Sequence, residues 1–235
     1  MTKEKYQKEI ELIKQQNNTE FELYPLAVEI IQPATEELSK RYVFNRRRTT
    51  KGNIYYGLSS FPDIAILDNA FTDKESDEEI TEEDWNGLIG CLEIKALDDE
   101  LFTITNIQNC LTDEEITSSK IPKSLGQLIG EILWYKKVLY TNGREWNYFY
   151  VNKYSQELKE VILQLVNDRI KFENEETENE QLDDTDQRKE YDWWGNFINN
   201  KKVCIKDIIK GRCITENCME NWDDFIKKIN EISWK

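Results

Sequence analysis

Near the N-terminus Tyr6, Ile10 and Ile13 stand three and four apart among charged residues, which predicts an exposed amphipathic helix over 2–16. After the polar break at Gln16 to Asn18, the stretch through Ile31 (FELYPLAVEII) keeps a helical period. Thr19 and Glu22 stand at capping-box spacing before it, and Pro25 and Pro33 blur its start and end. A second short helix is expected over Ala34 to Tyr42. Residues 53–68 (NIYYGLSSFPDIAILD) then turn β-branched and aromatic around Gly-Leu-Ser-Ser, which predicts a β-hairpin with Asp63 near the start of its second strand.

Residues 87–97 (GLIGCLEIKAL) form an apolar strand carrying two charges, and 101–107 (LFTITNI) suggest a further strand. From Ser119 onward Leu125, Leu128, Ile129, Ile132 and Leu133 recur at helical spacing, with Pro122 at the first turn. Thr141-Asn142-Gly143 breaks that pattern, and 145–151 (EWNYFYV) alternate as a strand does. A helix follows over 156–172. Residues 191–235 contain four tryptophans (Trp193, Trp194, Trp222, Trp234) and finish in an amphipathic helix with Phe225, Ile226, Ile229 and Ile232 on one side. The pattern predicts an α/β domain over 1–172, an acidic linker over 173–190 and a small, helical, Trp-rich C-terminal region over 191–235.

A chain of 235 residues with 39% hydrophobic content can bury a core. No apolar run approaches the roughly 20 residues needed to cross a bilayer, and the first residues carry no apolar leader, so a cytoplasmic protein without a membrane partner is expected. The five cysteines include no CxxC pair and read as reduced thiols, with spacings that fit no zinc site. The chain has no histidine, which removes Ser-His-Asp and Cys-His catalysis and leaves carboxylates, lysines, tyrosines and metal.

The net charge of −15, taken as a whole, opposes a polyanionic partner. Residues 73–84 carry a net −7 and residues 173–186 a net −8, however, which together account for the whole excess. The rest is neutral on balance. Arg41 to Lys51 (RYVFNRRRTTK) then holds five bases and no acid, and Arg46, Arg47, Arg48 and Lys51 are candidate phosphate contacts, a solvated loop being the plainer reading.

Cleaving a phosphodiester needs an activated water and neutralisation of the charge growing on phosphorus and the leaving oxygen, which a divalent metal supplies. Magnesium is commonly held by one or two carboxylates, with water and substrate phosphate completing its octahedron. In a strand, residues i and i+2 share a face, so Glu93 and Lys95 point together while Ile94 points to the opposite layer. With the strand bearing Asp63 alongside, Asp63 and Glu93 could share a metal. Lys95 would reach the attacking water or a phosphate oxygen. The plainer reading, an exposed edge face, fits poorly with the apolar residues around both acids, among which an unpaired charge is costly. Tyr55, Tyr56, Trp146 and Tyr148 could stack on bases but are assigned to packing.

Pro62-Asp63, followed thirty residues on by Glu93-Ile94-Lys95, resembles the signature of the PD-(D/E)XK, or restriction-endonuclease-like, nuclease superfamily. The order of elements is similar too: an N-terminal helix, a hairpin carrying PD, a strand carrying ExK, a following helix, then a strand. The resemblance implies a mixed β-sheet core flanked by helices and a nuclease dependent on Mg2+ or Mn2+. It implies Asp63, Glu93 and the Ile94 carbonyl as metal ligands, Lys95 as the group positioning the nucleophile, and a glutamine on the following helix facing the site. Gln127, Glu131 and Tyr135 lie four apart on that helix, and Gln127 takes the glutamine's role. Some relatives add an acid from the first helix, for which Glu22 and Glu29 are candidates. The expected function is internal cleavage of DNA, ahead of RNA, in a phage, mobile element or defence system. The alternatives are an inactive nuclease-like module whose acidic segments mimic DNA or dock a basic protein, and a ribonuclease. A homodimer or a protein partner stays open.

Overall fold

The apolar run beginning at Leu88 belongs in the middle of a sheet, because nearly all of it is shielded from solvent on both faces. In the computed structural model, which describes residues 1–43, 53–73, 78–112, 121–177, 197–198 and 200–234, it does. The strands are β1 (Ser39–Tyr42), β2 (Ile64–Leu67), β3 (Leu88–Ile94), β4 (Lys137–Thr141), β5 (Trp146–Val151) and β6 (Ile209–Thr215). They form one sheet in sequence order. Only β3 and β4 run parallel; every other neighbouring pair is antiparallel. A parallel pair needs a crossover, and the helices α5 (Ile104–Cys110) and α6 (Lys123–Tyr135) lie in that connection.

Period-two alternation divides the core into two layers. Ala65, Leu67, Cys91, Val138 and Tyr140 pack with α6 and with α7 (Gln156–Thr177). Ile64, Ile66, Leu92, Ile94 and Leu139 face the other way, toward α1 (Lys3–Gln16), α2 (Glu20–Ile31) and α9 (Trp222–Asn230). Each large apolar side chain so buried contributes about 2 kcal/mol. On α1 the buried residues are Tyr6, Ile10 and Ile13, as their spacing predicts. The Tyr6 hydroxyl donates to the Gly143 carbonyl at 2.6 Å and ties this helix to the β4–β5 turn. Gly143 has φ +85, and a Cβ there would stand 2.8 Å from a Leu23 methyl. Gly143→Ala is therefore expected to lower stability by about 2 kcal/mol, read as a reduced denaturant midpoint at unchanged slope.

Several expectations are corrected. Residues 34–42 do not form a helix: a 3-10 turn at Pro33–Thr35 leads into β1. The predicted hairpin partner also changes, since Asn53–Tyr56 is a helical turn (α3) and β2 pairs with β1 instead. Thr19 precedes α2 but makes no side-chain cap, and the Asn17 amide reaches Glu22 instead. Residues 101–107 are not a strand: 101–103 are irregular and Ile104 begins α5, where Thr103 and Asn106 form a reciprocal capping box. Thr81 and Asp84 do the same for α4 (Glu82–Asn86), so the end of the acidic segment is a helix that buries Trp85. Residues 74–77 of that segment lie outside the described residues.

The predicted linker begins inside α7, which runs to Thr177. The C-terminal region contains a strand as well as helices. A helix over 200–208 (α8) leads into β6, which pairs with β5, and α9 buries Phe225 and Ile229 on the α1/α2 face. Trp193 and Trp194 lie outside the described residues. All five cysteines are free thiols. Among the described residues no helix is long and apolar enough to cross a membrane.

Candidate active site

Register explains how Asp63 reaches β3. The β2–β3 pairing places Ile64 opposite Leu92, so the short β2 offers no ladder partner to the Ile94 amide beyond that point. The Asp63 side chain supplies one, its Oδ2 accepting from Ile94 N at 2.6 Å. Its backbone carbonyl accepts from Val43 N at 3.1 Å, and its Oδ1 accepts from the Tyr24 hydroxyl of α2. The acid is held from two strands and one helix.

Glu93 and Lys95 share a face as their spacing requires. Lys95 Nζ lies 2.6 Å from Glu93 Oε1, and Lys95 N donates to Thr141 O of β4 at 2.8 Å. Ile94 packs into the opposite layer. From α6 the Gln127 amide donates to Glu93 Oε1 at 2.9 Å and to Glu131 Oε1 at 3.0 Å, and the Ser60 hydroxyl donates to Glu131 Oε1 at 2.9 Å. Glu93 is only 3% exposed and Glu131 only 1%. The Oε2 atoms of both are buried and receive no hydrogen bond from the described residues.

Burial and crowding set the charges. Burial pushes the Glu93 carboxyl well above the usual range, Glu131 and Asp63 add to this, and Lys95 opposes it. Burial likewise raises Asp63 against the hydrogen bonds from Tyr24 and Ile94 and the charge of Lys95. Glu131 is raised to about 7, chiefly by burial, with Gln127, Ser60 and Lys95 restraining the shift. Burial would lower the Lys95 amine, but Glu93, Glu20 and Glu131 outweigh it and keep the amine charged. The Cys91 thiol is pushed up by burial and by Glu131, Glu93 and Asp63, so it is no thiolate nucleophile.

The residues expected at the site divide clearly. Asp63, Glu93, Ile94, Lys95 and Gln127 come together. Glu22 and Glu29 have other partners: Asn17 binds Glu22, while Lys5 and the N-terminal amine bind Glu29. The acid of α2 that feels the site is Glu20, whose carboxyl is raised by burial and by Asp63 and Asp99 and lowered by Lys95. Glu20 and Tyr24 stand four apart on one stripe of α2, a spacing visible in the sequence. Tyr135 leaves the stripe it shares with Gln127 and Glu131 in sequence, its hydroxyl bonding Tyr55 O in the core. Arg46, Arg47, Arg48 and Lys51 lie outside the described residues. Tyr55, Trp146 and Tyr148 are buried, and Tyr56 lies against Arg169 and Phe61.

Among the described residues no three or more His, Cys, Asp and Glu side chains converge as a ready-made metal cluster. An oxygen-preferring divalent cation needs fewer, since water and substrate complete its shell. When ionised, buried carboxylates with bare oxygens and one nearby ammonium lack a full counter-charge, and oxygen donors of this kind fit such an ion. No family model, no curated protein and no solved structure matches this chain.

Proposed function

We propose that the chain is a Mg2+- or Mn2+-dependent nuclease of the PD-(D/E)XK kind with a restriction-endonuclease-like fold, hydrolysing phosphodiester bonds of nucleic acid, with DNA as the first substrate to test. One observation carries this reading: Lys95 and Gln127 both hydrogen-bond Glu93, and Asp63 bonds the backbone amide of Ile94 between Glu93 and Lys95, so that side chains from two strands and a helix gather at the end of β3. The order α2, β1–β2 with Asp63 at the head of β2, β3 with Glu93 and Lys95, α6, then β4 parallel to β3 supports it as well.

Asp63 and Glu93 would hold the cation, with the Ile94 carbonyl beside them. When bound, it would supply Lewis acidity toward the phosphate and lower the pKa of a coordinated water. The protein's own groups do the rest. Tyr24 and the Ile94 amide fix the rotamer of Asp63. Lys95, kept charged by Glu93, presents an ammonium to the attacking water or a phosphate oxygen. Gln127 donates to the same Glu93 oxygen that Lys95 contacts.

The test is cleavage of end-labelled DNA and RNA with MgCl2 or MnCl2 and with EDTA, beside a Lys95→Ala protein. The expected result is metal-dependent cutting that Lys95→Ala loses while still binding the nucleic acid. No cutting of either polymer by the native protein under either metal would overturn the reading and favour a binding module. Cutting of RNA alone would assign a ribonuclease.

A further inference from the structure

Among the described residues, every donor to Glu93 and Glu131 goes to one oxygen of each. Lys95 and Gln127 bond Glu93 Oε1, while Gln127 and Ser60 bond Glu131 Oε1. A single amide nitrogen, Gln127 Nε2, spans the two carboxylates at 2.9 and 3.0 Å and so fixes them side by side. The two remaining oxygens, Glu93 Oε2 and Glu131 Oε2, are both buried and both bare. Burying one anionic oxygen without a partner is expensive, and burying two on adjacent side chains adds their mutual repulsion. Lys95 already spends its ammonium on Glu93 Oε1.

We propose that Glu131 is a ligand of a divalent cation, shared with Glu93 through these two bare oxygens. The inference deepens the metal-dependent reading and rests on it. The cation is of the hard, oxygen-preferring class, Mg2+ or Mn2+, because the groups that would hold it are carboxylate oxygens. Glu131 lies on α6, an element apart from the strands that carry Asp63 and Glu93, so the ion would clamp that helix to the sheet. Gln127 then acts as a positioning residue, holding both carboxylates toward the same ion. A proton shared between the two Oε2 atoms is the competing way to satisfy them, and a titration with metal distinguishes the two.

The experiment is isothermal titration calorimetry of the full chain with MnCl2 alone at pH 8, without nucleic acid. Native protein is compared with Glu131→Gln, and Asp63→Asn is compared with the Asp63→Asn/Glu131→Gln double variant. Circular dichroism and unfolding temperature report that each variant is folded. Loss of a direct carboxylate ligand is expected to weaken Mn2+ binding at least about tenfold in both comparisons. Unchanged affinity in Glu131→Gln, or no Mn2+ binding by the native protein, would overturn the proposal. A protein that cuts nucleic acid but whose Mn2+ affinity ignores Glu131 keeps the nuclease reading and loses this one. A protein that binds Mn2+ through Glu131 and cuts nothing does the reverse.

Discussion

A Glu93→Gln protein is expected to lose metal-dependent cleavage by about three orders of magnitude or more, because this one substitution removes several functions at once. The carboxylate is proposed as a cation ligand beside Asp63. It also anchors the Lys95 ammonium at 2.6 Å and keeps that amine charged against the burial that would lower it. An amide in its place still accepts one hydrogen bond but carries no charge, so both the grip on the cation and the field holding Lys95 weaken. Single-turnover cleavage of a labelled duplex by native and Glu93→Gln protein measures the loss, with far-UV circular dichroism as the control for folding. Retention of more than a tenth of the native rate would remove Glu93 from the chemistry.

What the sequence discloses depends on where each signal resides. β3 is legible because a strand covered on both faces needs an unbroken apolar run, and two charges inside such a run stand out. The pairing of Glu93 with Lys95 follows from strand period alone. α6 is legible because its buried stripe recurs at helical spacing. β1 and β6 are not, for a shared reason: both lie at sheet edges, β1 with no buried residue and β6 with only two, and their sequences, SKRY and IKGRCIT, carry little apolar alternation. Their strand character comes from partners distant in the chain, and tertiary pairing of that kind overrides local propensity. Thr103-x-x-Asn106 was a readable start signal for α5, hidden by the apolar residues around it. At the site, Asp63, Glu93, Lys95 and Gln127 could be found from motif and period. Glu20 and Tyr24 could not, because which stripe of α2 faces the sheet is decided by how that helix docks across Pro25.

The largest expected effect on stability belongs to Glu131. Its carboxyl titrates near 4.5 when free of the fold and is raised to about 7 within it. The sign follows from proton counting: between about pH 4.5 and pH 7 the folded chain keeps a proton that the unfolded chain has released, so stability falls as pH rises through that window. Below it the carboxyl is protonated in both states, and above it ionised in both with the cost fully present. At about 1.4 kcal/mol per unit, the shift corresponds to about 3 kcal/mol at pH 8. The groups that bear on the carboxyl are Asp63 and Glu93, which disfavour its charge, and Gln127, Ser60 and Lys95, which favour it. Gln127 comes from its own helix, Ser60 from the segment before β2, and Asp63, Glu93 and Lys95 from the neighbouring strands. Glu131→Gln removes the ionisation and keeps the shape. In EDTA it should match the native protein near pH 4.5 and exceed it by up to about 3 kcal/mol at pH 8, as read from denaturant midpoints across that range. Parallel pH profiles for the two proteins would mean that Glu131 is not held out of its ordinary range. A site that costs the empty fold this much at neutral pH leaves a divalent cation a correspondingly large stabilising effect, so adding MnCl2 should raise the native midpoint far more at pH 8 than at pH 5.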